Sequence, residues 1–155
     1  MCLASVAKPK FNKGKKVFLV SPSVAPQTLA VLQTRASGFG IELKVAESNA
    51  GLEQEIEALG EEKLMGALVQ YPDVNGDIKD WESVAGKVKS AGGKLVVASD
   101  LLALTMLKPP GEWGADIVCG NTQRFGKSLF IMSSWLTFRC TRRIRWTPRC
   151  LHLVY

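Results

Sequence analysis

Apolar positions in the first two-thirds of the chain change period repeatedly, and each change marks an element. Lys15–Val20 (KKVFLV) is a short apolar, β-branched run of the kind found in a strand buried on both faces. Pro22 and Pro26 interrupt it, and Pro26 suits the first turn of a helix. The spacing predicts a helix over Pro26–Ala36, with Leu29, Val31 and Leu32 on one broad face, stopped by Gly38 and Gly40. Ile41–Val45 (IELKV) alternates as a strand. Leu52–Leu59 (LEQEIEAL) sets Leu52, Ile56 and Leu59 at helical spacing with glutamates outside. A strand at Leu64–Gln70, a turn over Tyr71–Asp77 carrying Asn75–Gly76, an amphipathic helix near Asp80–Ala91 and a strand at Lys94–Ala98 (KLVVA) follow. After Asp100 the chain reads as a loop rich in Leu and Pro, then a short strand at Ala115–Cys119.

Strands that are apolar throughout, alternating with helices, predict an α/β fold: a mostly parallel sheet with helices on both faces. Composition agrees, since 155 residues with 46% hydrophobic and 8% aromatic content can bury a core and are not those of a disordered chain. No run reaches the roughly 18 apolar residues of a membrane span. The N-terminus has a short apolar run ahead of its lysines, the reverse of a secretory signal, and lacks the arginines of a transit peptide.

Charge divides the chain. The net charge is +6, yet residues up to Gly126 carry equal numbers of basic and acidic side chains. The excess is Lys127, Arg139, Arg142, Arg143, Arg145 and Arg149, in a tail with no acidic residue and no sustained period. Arginines interleaved with Trp135, Phe138 and Trp146 could grip a nucleic acid, but a basic footprint alone is only the first sign of such binding, and a solvated segment is the plainer reading. Cys2, Cys119, Cys140 and Cys150 form no CxxC pair, and His152 is the single histidine, so free thiols are expected and no metal site.

Two candidates for chemistry stand out. Asp100 falls at the carboxyl end of a predicted strand, where open α/β sheets bind ligands and a carboxylate could serve a cofactor or a sugar, though a local backbone cap is the favoured reading of an aspartate there. The segment Lys108–Asp116 (KPPGEWGAD) fixes its own path with two prolines and two glycines around Trp113, but its carboxylates lack a His, Lys or Ser partner at catalytic spacing. Neither a dinucleotide fingerprint nor a P-loop is present.

Taken together and in order, PQTLAVLQTRA (Pro26–Ala36), QYPD (Gln70–Asp73), DLLAL (Asp100–Leu104), PPGEWGAD (Pro109–Asp116) and QRFG (Gln123–Gly126) closely resemble the glycine cleavage system P-protein family, glycine dehydrogenase (decarboxylating). The likeness spans about residues 1–126. It implies part of the large domain of an aspartate-aminotransferase-like (fold type I) enzyme that uses pyridoxal 5'-phosphate, whose ring accepts electrons as carbon dioxide leaves glycine. The aminomethyl group then passes to the lipoyl arm of H-protein. The resemblance is to the family's N-terminal half, so an active C-terminal half, or a homodimer, is the implied partner. It also implies a mitochondrial location in a eukaryote and a cytoplasmic one in a bacterium.

Laying the two halves of the family together through PPGEWGAD and QRFG puts Gln123 where the active half has its cofactor-binding lysine. Val97 then stands where the aspartate facing the pyridine nitrogen belongs, with Asp100 three residues late. Glutamine forms no imine and valine pairs with no ring nitrogen, so no catalytic, cofactor-binding or metal residue is carried over. Ala25 is a further departure, at a position where the family usually has His before PQT. Met1–Val6 resembles the close of a family helix that begins upstream.

The expectation is therefore a family portion at 1–126, inactive alone, followed by a basic tail at 127–155 with no native fold. Phe138–Arg145 (FRCTRRIR) can be encoded so that reading one base later gives a family-like segment, which reads the tail as frameshifted or mis-spliced. The alternatives are a non-catalytic structural partner of an active half and, behind it, a nucleic-acid binder working through the tail.

Overall fold

The computed structural model describes residues 15–121 and 124, together with 135–139, residues 61 and 135–139 as backbone alone. Six strands form one sheet: β1 (Val17–Val20), β2 (Glu42–Val45), β3 (Leu64–Tyr71), β4 (Lys94–Ser99), β5 (Ile117–Asn121) and β6 (Trp135–Arg139). Their order across the sheet is β2-β1-β3-β4-β5-β6, and every pairing is parallel except the antiparallel β5–β6. Helices α1 (Pro26–Gly38), α2 (Leu52–Lys63) and α3 (Glu82–Ser90) connect the first four strands, and a 3-10 turn (Ala103–Thr105) precedes β5.

Local chemistry explains most of these boundaries. Pro26 opens α1, where its missing N–H costs nothing. Ahead of α2 the Ser48 hydroxyl accepts the Gly51 N–H (2.8 Å), Glu53 and Glu55 lie in its first turn and Lys63 in its last, each suited to the helix dipole. The regular part of α2 ends where the sequence predicts. Gly60 has φ 62° and ψ −171°, a conformation open to glycine, and the helix kinks there before running into β3. Asp80 Oδ1 accepts the Glu82 N–H (2.9 Å) at the start of α3, and Val84, Ala85 and Val88 form its buried stripe.

Helices cover both faces. On one side Leu52 and Ile56 of α2 and Val84 and Val88 of α3 pack on Leu19, Val69, Leu95 and Val97. On the other, Ala36 of α1 with Leu29 and Leu32 covers Phe18, Val20, Leu68 and Val96. Val31 does not join that face: it is 60% exposed, because residues two apart on a helix point nearly opposite ways. The central strand β3 is buried over almost its whole length, whereas edge strand β2 is mostly exposed.

One contact across the α2–α3 surface is ionic. Lys87 Nζ pairs with Glu53 and with Glu57 (3.0 Å), and the Ser83 hydroxyl donates to Glu53. The Glu53 carboxylate, then Glu57, raises the Lys87 pKa, but all three side chains meet water and salt screens them. Lys87→Met is expected to lower the thermal midpoint only slightly, by less than any truncation in the two apolar clusters. Melting at low and high ionic strength checks this, and the difference should close as salt rises.

Candidate functional site

β1 passes to β2 on one side of itself and β3 lies on the other, so the strand order reverses between β1 and β3. The carboxyl ends of strands flanking such a reversal open the crevice where α/β sheets hold ligands. Here that edge carries Ser21 and Ser23 after β1, Asn49 after β2, Gln70 to Asp73 at the end of β3 and Asp100 after β4.

Ser21 and Ser23 are buried, and their hydroxyls lie 3.0 Å apart. Asn49 Oδ1 accepts from both, at 3.0 Å from Ser23 Oγ. Gln70 Oε1 accepts the Ala25 N–H (2.9 Å) just ahead of α1. Backbone bonds tie the same segments: Ser21 N–H donates to Leu68 O (2.9 Å) and Val74 N–H to Ser23 O (3.1 Å). These are neutral groups satisfying one another, as burial requires. Among the described residues no imidazole or carboxylate bonds either serine hydroxyl, and the network orders the loops.

Among the described residues, the buried charge at this edge is Asp73, with 1% of its side chain exposed. Its Oδ1 accepts the N–H groups of Asn75 and Asp77 (both 2.9 Å), and Oδ2 accepts Lys79 Nζ (3.0 Å). Asp73 N–H donates to Asp77 O (3.1 Å) and Gly76 N–H to Asp73 O (3.0 Å). Residues 73–79 are thus knotted around one carboxylate. Burial alone would raise its pKa, but the Lys79 ammonium and the amides of Asp77 and Asn75 outweigh that and hold it below the ordinary aspartate value.

Asp100 takes the local role. Its Oδ1 accepts the Leu102 N–H (3.1 Å) and caps the turn into the 3-10 segment, while Oδ2 lies 3.5 Å from Arg124 Nε. Val97 is fully buried in the apolar cluster shared with α2 and α3. Gln123 lies outside the described residues. A valine in that cluster offers a pyridine nitrogen no partner, and the Asp100 oxygens already face Leu102 and Arg124. Among the described residues, these two positions therefore offer a pyridine nitrogen no free partner.

The 108–116 loop packs inward: Trp113 is buried and meets Tyr71 edge-on, ring centroids 5.8 Å apart and planes at 77°. Parallel pairing supplies the cation that sequence spacing did not show for this loop. Asp116 receives Lys94 Nζ (2.8 Å) and the Leu95 N–H (3.1 Å), which joins the start of β4 to the start of β5. Cys119 Sγ lies 3.5 Å from Val97 O. Cys2, Cys140, Cys150, His152, Trp146, Lys127 and the arginines from Arg142 to Arg149 lie outside the described residues. Arg139, Trp135 and Phe138 are placed only as backbone of β6. Among the described residues no cluster of His, Cys, Asp and Glu could hold a metal ion, and no helix is long and apolar enough to cross a membrane.

Comparison with known proteins supplies what this geometry leaves open. The family profile described as "Glycine cleavage system P-protein" matches residues 2–132. Glycine dehydrogenase (decarboxylating) of Paraburkholderia phytofirmans is 48% identical over 124 residues, which are 80% of this chain and 12% of that protein. A solved glycine decarboxylase (P-protein) of the glycine cleavage system, inhibitor-bound, superposes with a TM-score of 0.68 at 32% identity, covering 84% of this chain and 29% of its own. A putative O-acetylhomoserine (thiol)-lyase from Campylobacter jejuni that carries a pyridoxyl-lysine phosphate shares the fold alone, at TM-score 0.58 and 14% identity over 68% of this chain and 26% of its own. The sheet is thus that of the fold type I enzymes. The chain spans 12% of the length of the curated relatives it matches.

Proposed function

This chain belongs to the glycine cleavage system P-protein family, and from that premise we propose that it is a non-catalytic portion of the P-protein large domain. The reading is carried by the family match over residues 2–132, and it draws support from the burial of Val97, which the register with the family's active half sets opposite the pyridine nitrogen. The whole enzyme of the family decarboxylates glycine and passes the aminomethyl group to the lipoyl arm of H-protein, with pyridoxal 5'-phosphate supplying the electron sink. In this reading the residues of this chain form scaffold: parallel strands, an ordered carboxyl edge and no group that bonds the cofactor. The location follows the family, mitochondrial in a eukaryote and cytoplasmic in a bacterium.

Titrating the purified chain with pyridoxal 5'-phosphate is expected to leave the free cofactor's absorbance unchanged, with no carbon dioxide released from glycine. A cofactor band that stays with the protein through gel filtration would overturn the reading.

A structural role beside an active half draws support from α1. Val31 and, just past the helix, Phe39 are 60% and 54% exposed. Apolar side chains on the outer side of a surface helix suit coverage by more protein. Co-expression with a chain carrying the family's C-terminal half is expected to give a complex that survives gel filtration, and separate elution would count against this role. We also keep the division at Gly126, where the charge balance changes, and read 127–155 as foreign in frame to the family, although the family profile runs on to residue 132. Transcript sequencing across Gly126 decides that point, and an uninterrupted in-frame tail in independent clones would remove it.

A further inference from the structure

We propose that Asn75 is a site of spontaneous isoaspartate formation held in check by the Asp73 knot. Asn75 and Gly76 are both exposed, and Gly76 has φ +88° with no atom crowding its Cα. An asparagine followed by glycine is the pairing in which the next backbone nitrogen most readily reaches the side-chain amide, since glycine has no side chain to shield it.

In the reaction, hydroxide removes the Gly76 amide proton and the nitrogen attacks Asn75 Cγ. The new N–Cγ bond forms, the Cγ–Nδ2 bond breaks, and ammonia leaves with a proton taken from water. One further water opens the five-membered imide at either carbonyl, giving aspartate or isoaspartate. The net change is asparagine plus water to acid plus ammonia, with no change of oxidation state.

The folded loop opposes the first step in two ways. The proton that must leave Gly76 is donated to Asp73 O (3.0 Å), and the Asn75 N–H is held by Asp73 Oδ1 (2.9 Å). Turning the backbone between Asn75 Cα and the Gly76 nitrogen to bring that nitrogen onto Cγ would break the Gly76 bond to Asp73 O, while the bond at the Asn75 N–H holds the residue in the turn. Attack therefore waits on local opening, and its rate falls with the fraction of time the loop is open. Once isoaspartate forms, an added methylene lengthens the backbone between Asp73 and Asp77. The Asp77 N–H and Lys79 then no longer meet the carboxylate together, so the opening becomes permanent.

The test incubates the full chain at mildly alkaline pH beside a synthetic peptide of residues 70–80, followed by peptide mapping with isoaspartyl methyltransferase labelling. Label is expected at position 75, about tenfold or more slower in the chain than in the peptide, and absent from Asn75→Gln. Lys79→Met should speed it, and Asp73→Ala should approach the peptide rate. The proposal falls if the native chain labels as fast as the peptide, if the peptide gives no label, or if Lys79→Met in a chain that still folds is no faster than native. Because Lys79→Met removes one bond of the knot and leaves the rest, it decides the matter even where Asp73→Ala does not fold.

Discussion

Alanine at position 73 is expected to lower the unfolding free energy by about 2–3 kcal/mol. The Asp73 carboxylate is buried, takes two backbone amides and one ammonium, and all three bonds go at once. The loss stays below the sum of three charged hydrogen bonds because Lys79 is 35% exposed and Asn75 and Asp77 lie at the surface, where water replaces the carboxylate. Asp73→Asn keeps an acceptor at Oδ1 and gives up the charge, so about half the effect is expected. The same carboxylate makes stability depend on acid. Its folded pKa lies below the ordinary value, so its contribution is fully present above about pH 5, where the unfolded group is almost wholly ionised. It is lost as pH falls through the lower, folded value. Urea midpoints of the native chain and Asp73→Asn should converge as pH drops below about 4, and a difference unchanged down to acid pH would disprove the charged knot.

How much of this knot the sequence shows depends on distance along the chain. Asp73, Asn75, Gly76 and Asp77 spell a turn whose aspartate binds amides two and four residues on, and that part is legible locally. The burial of Asp73 is not, because it depends on Val74 meeting Ser23 across a crossover. Ser21, Ser23 and Asn49 are each unremarkable polar residues in sequence. They meet because β1 and β2 are parallel neighbours and both chains leave at the same edge. Asp116 and Lys94 likewise find each other through the β4–β5 pairing.

Among elements, period was a sound guide wherever one face was apolar. The helices over Pro26–Gly38 and Glu82–Ser90 and the strands of the parallel sheet stand within a few residues of the sequence reading. Asp100 caps the turn at Leu102 and faces Arg124, the local role that an aspartate after a strand commonly takes. The strand at Trp135–Arg139 had no counterpart in that reading. WLTFR is too short for a period to register, and its placement rests on an antiparallel ladder with β5. Val31 shows the opposite failure: grouping three apolar residues by proximity ignored that a helix turns about 100° per residue.

Gly66→Ala is expected to be the more damaging single change, at about 3 kcal/mol or above. A Cβ at this position would stand 2.4 Å from the carbonyl oxygen of Lys94 and 3.3 Å from the ring of Phe18. Neither neighbour can retreat. Lys94 O belongs to the backbone of β4, paired with β3 at this very residue, and Phe18 is 1% exposed in the core under α1. Beside it, on the other flank of β3, the pairing with β1 slips register between Val17 and Phe18, so that Leu64 and Ala67, three residues apart, both join the α2–α3 cluster. At Gly66 the backbone of β4 comes too near β3 for any side chain, and only glycine fits. Gly86 separates this crowding from glycine's intrinsic cost. It lies in α3, is exposed, and a Cβ there meets nothing within 4 Å, so Gly86→Ala should stabilise by about 0.5–1 kcal/mol through the unfolded chain. Urea unfolding of the two variants should therefore move in opposite directions. Midpoints that rise together would mean that β3 and β4 part easily at Lys94, and the close approach would not then be what specifies glycine in the central strand.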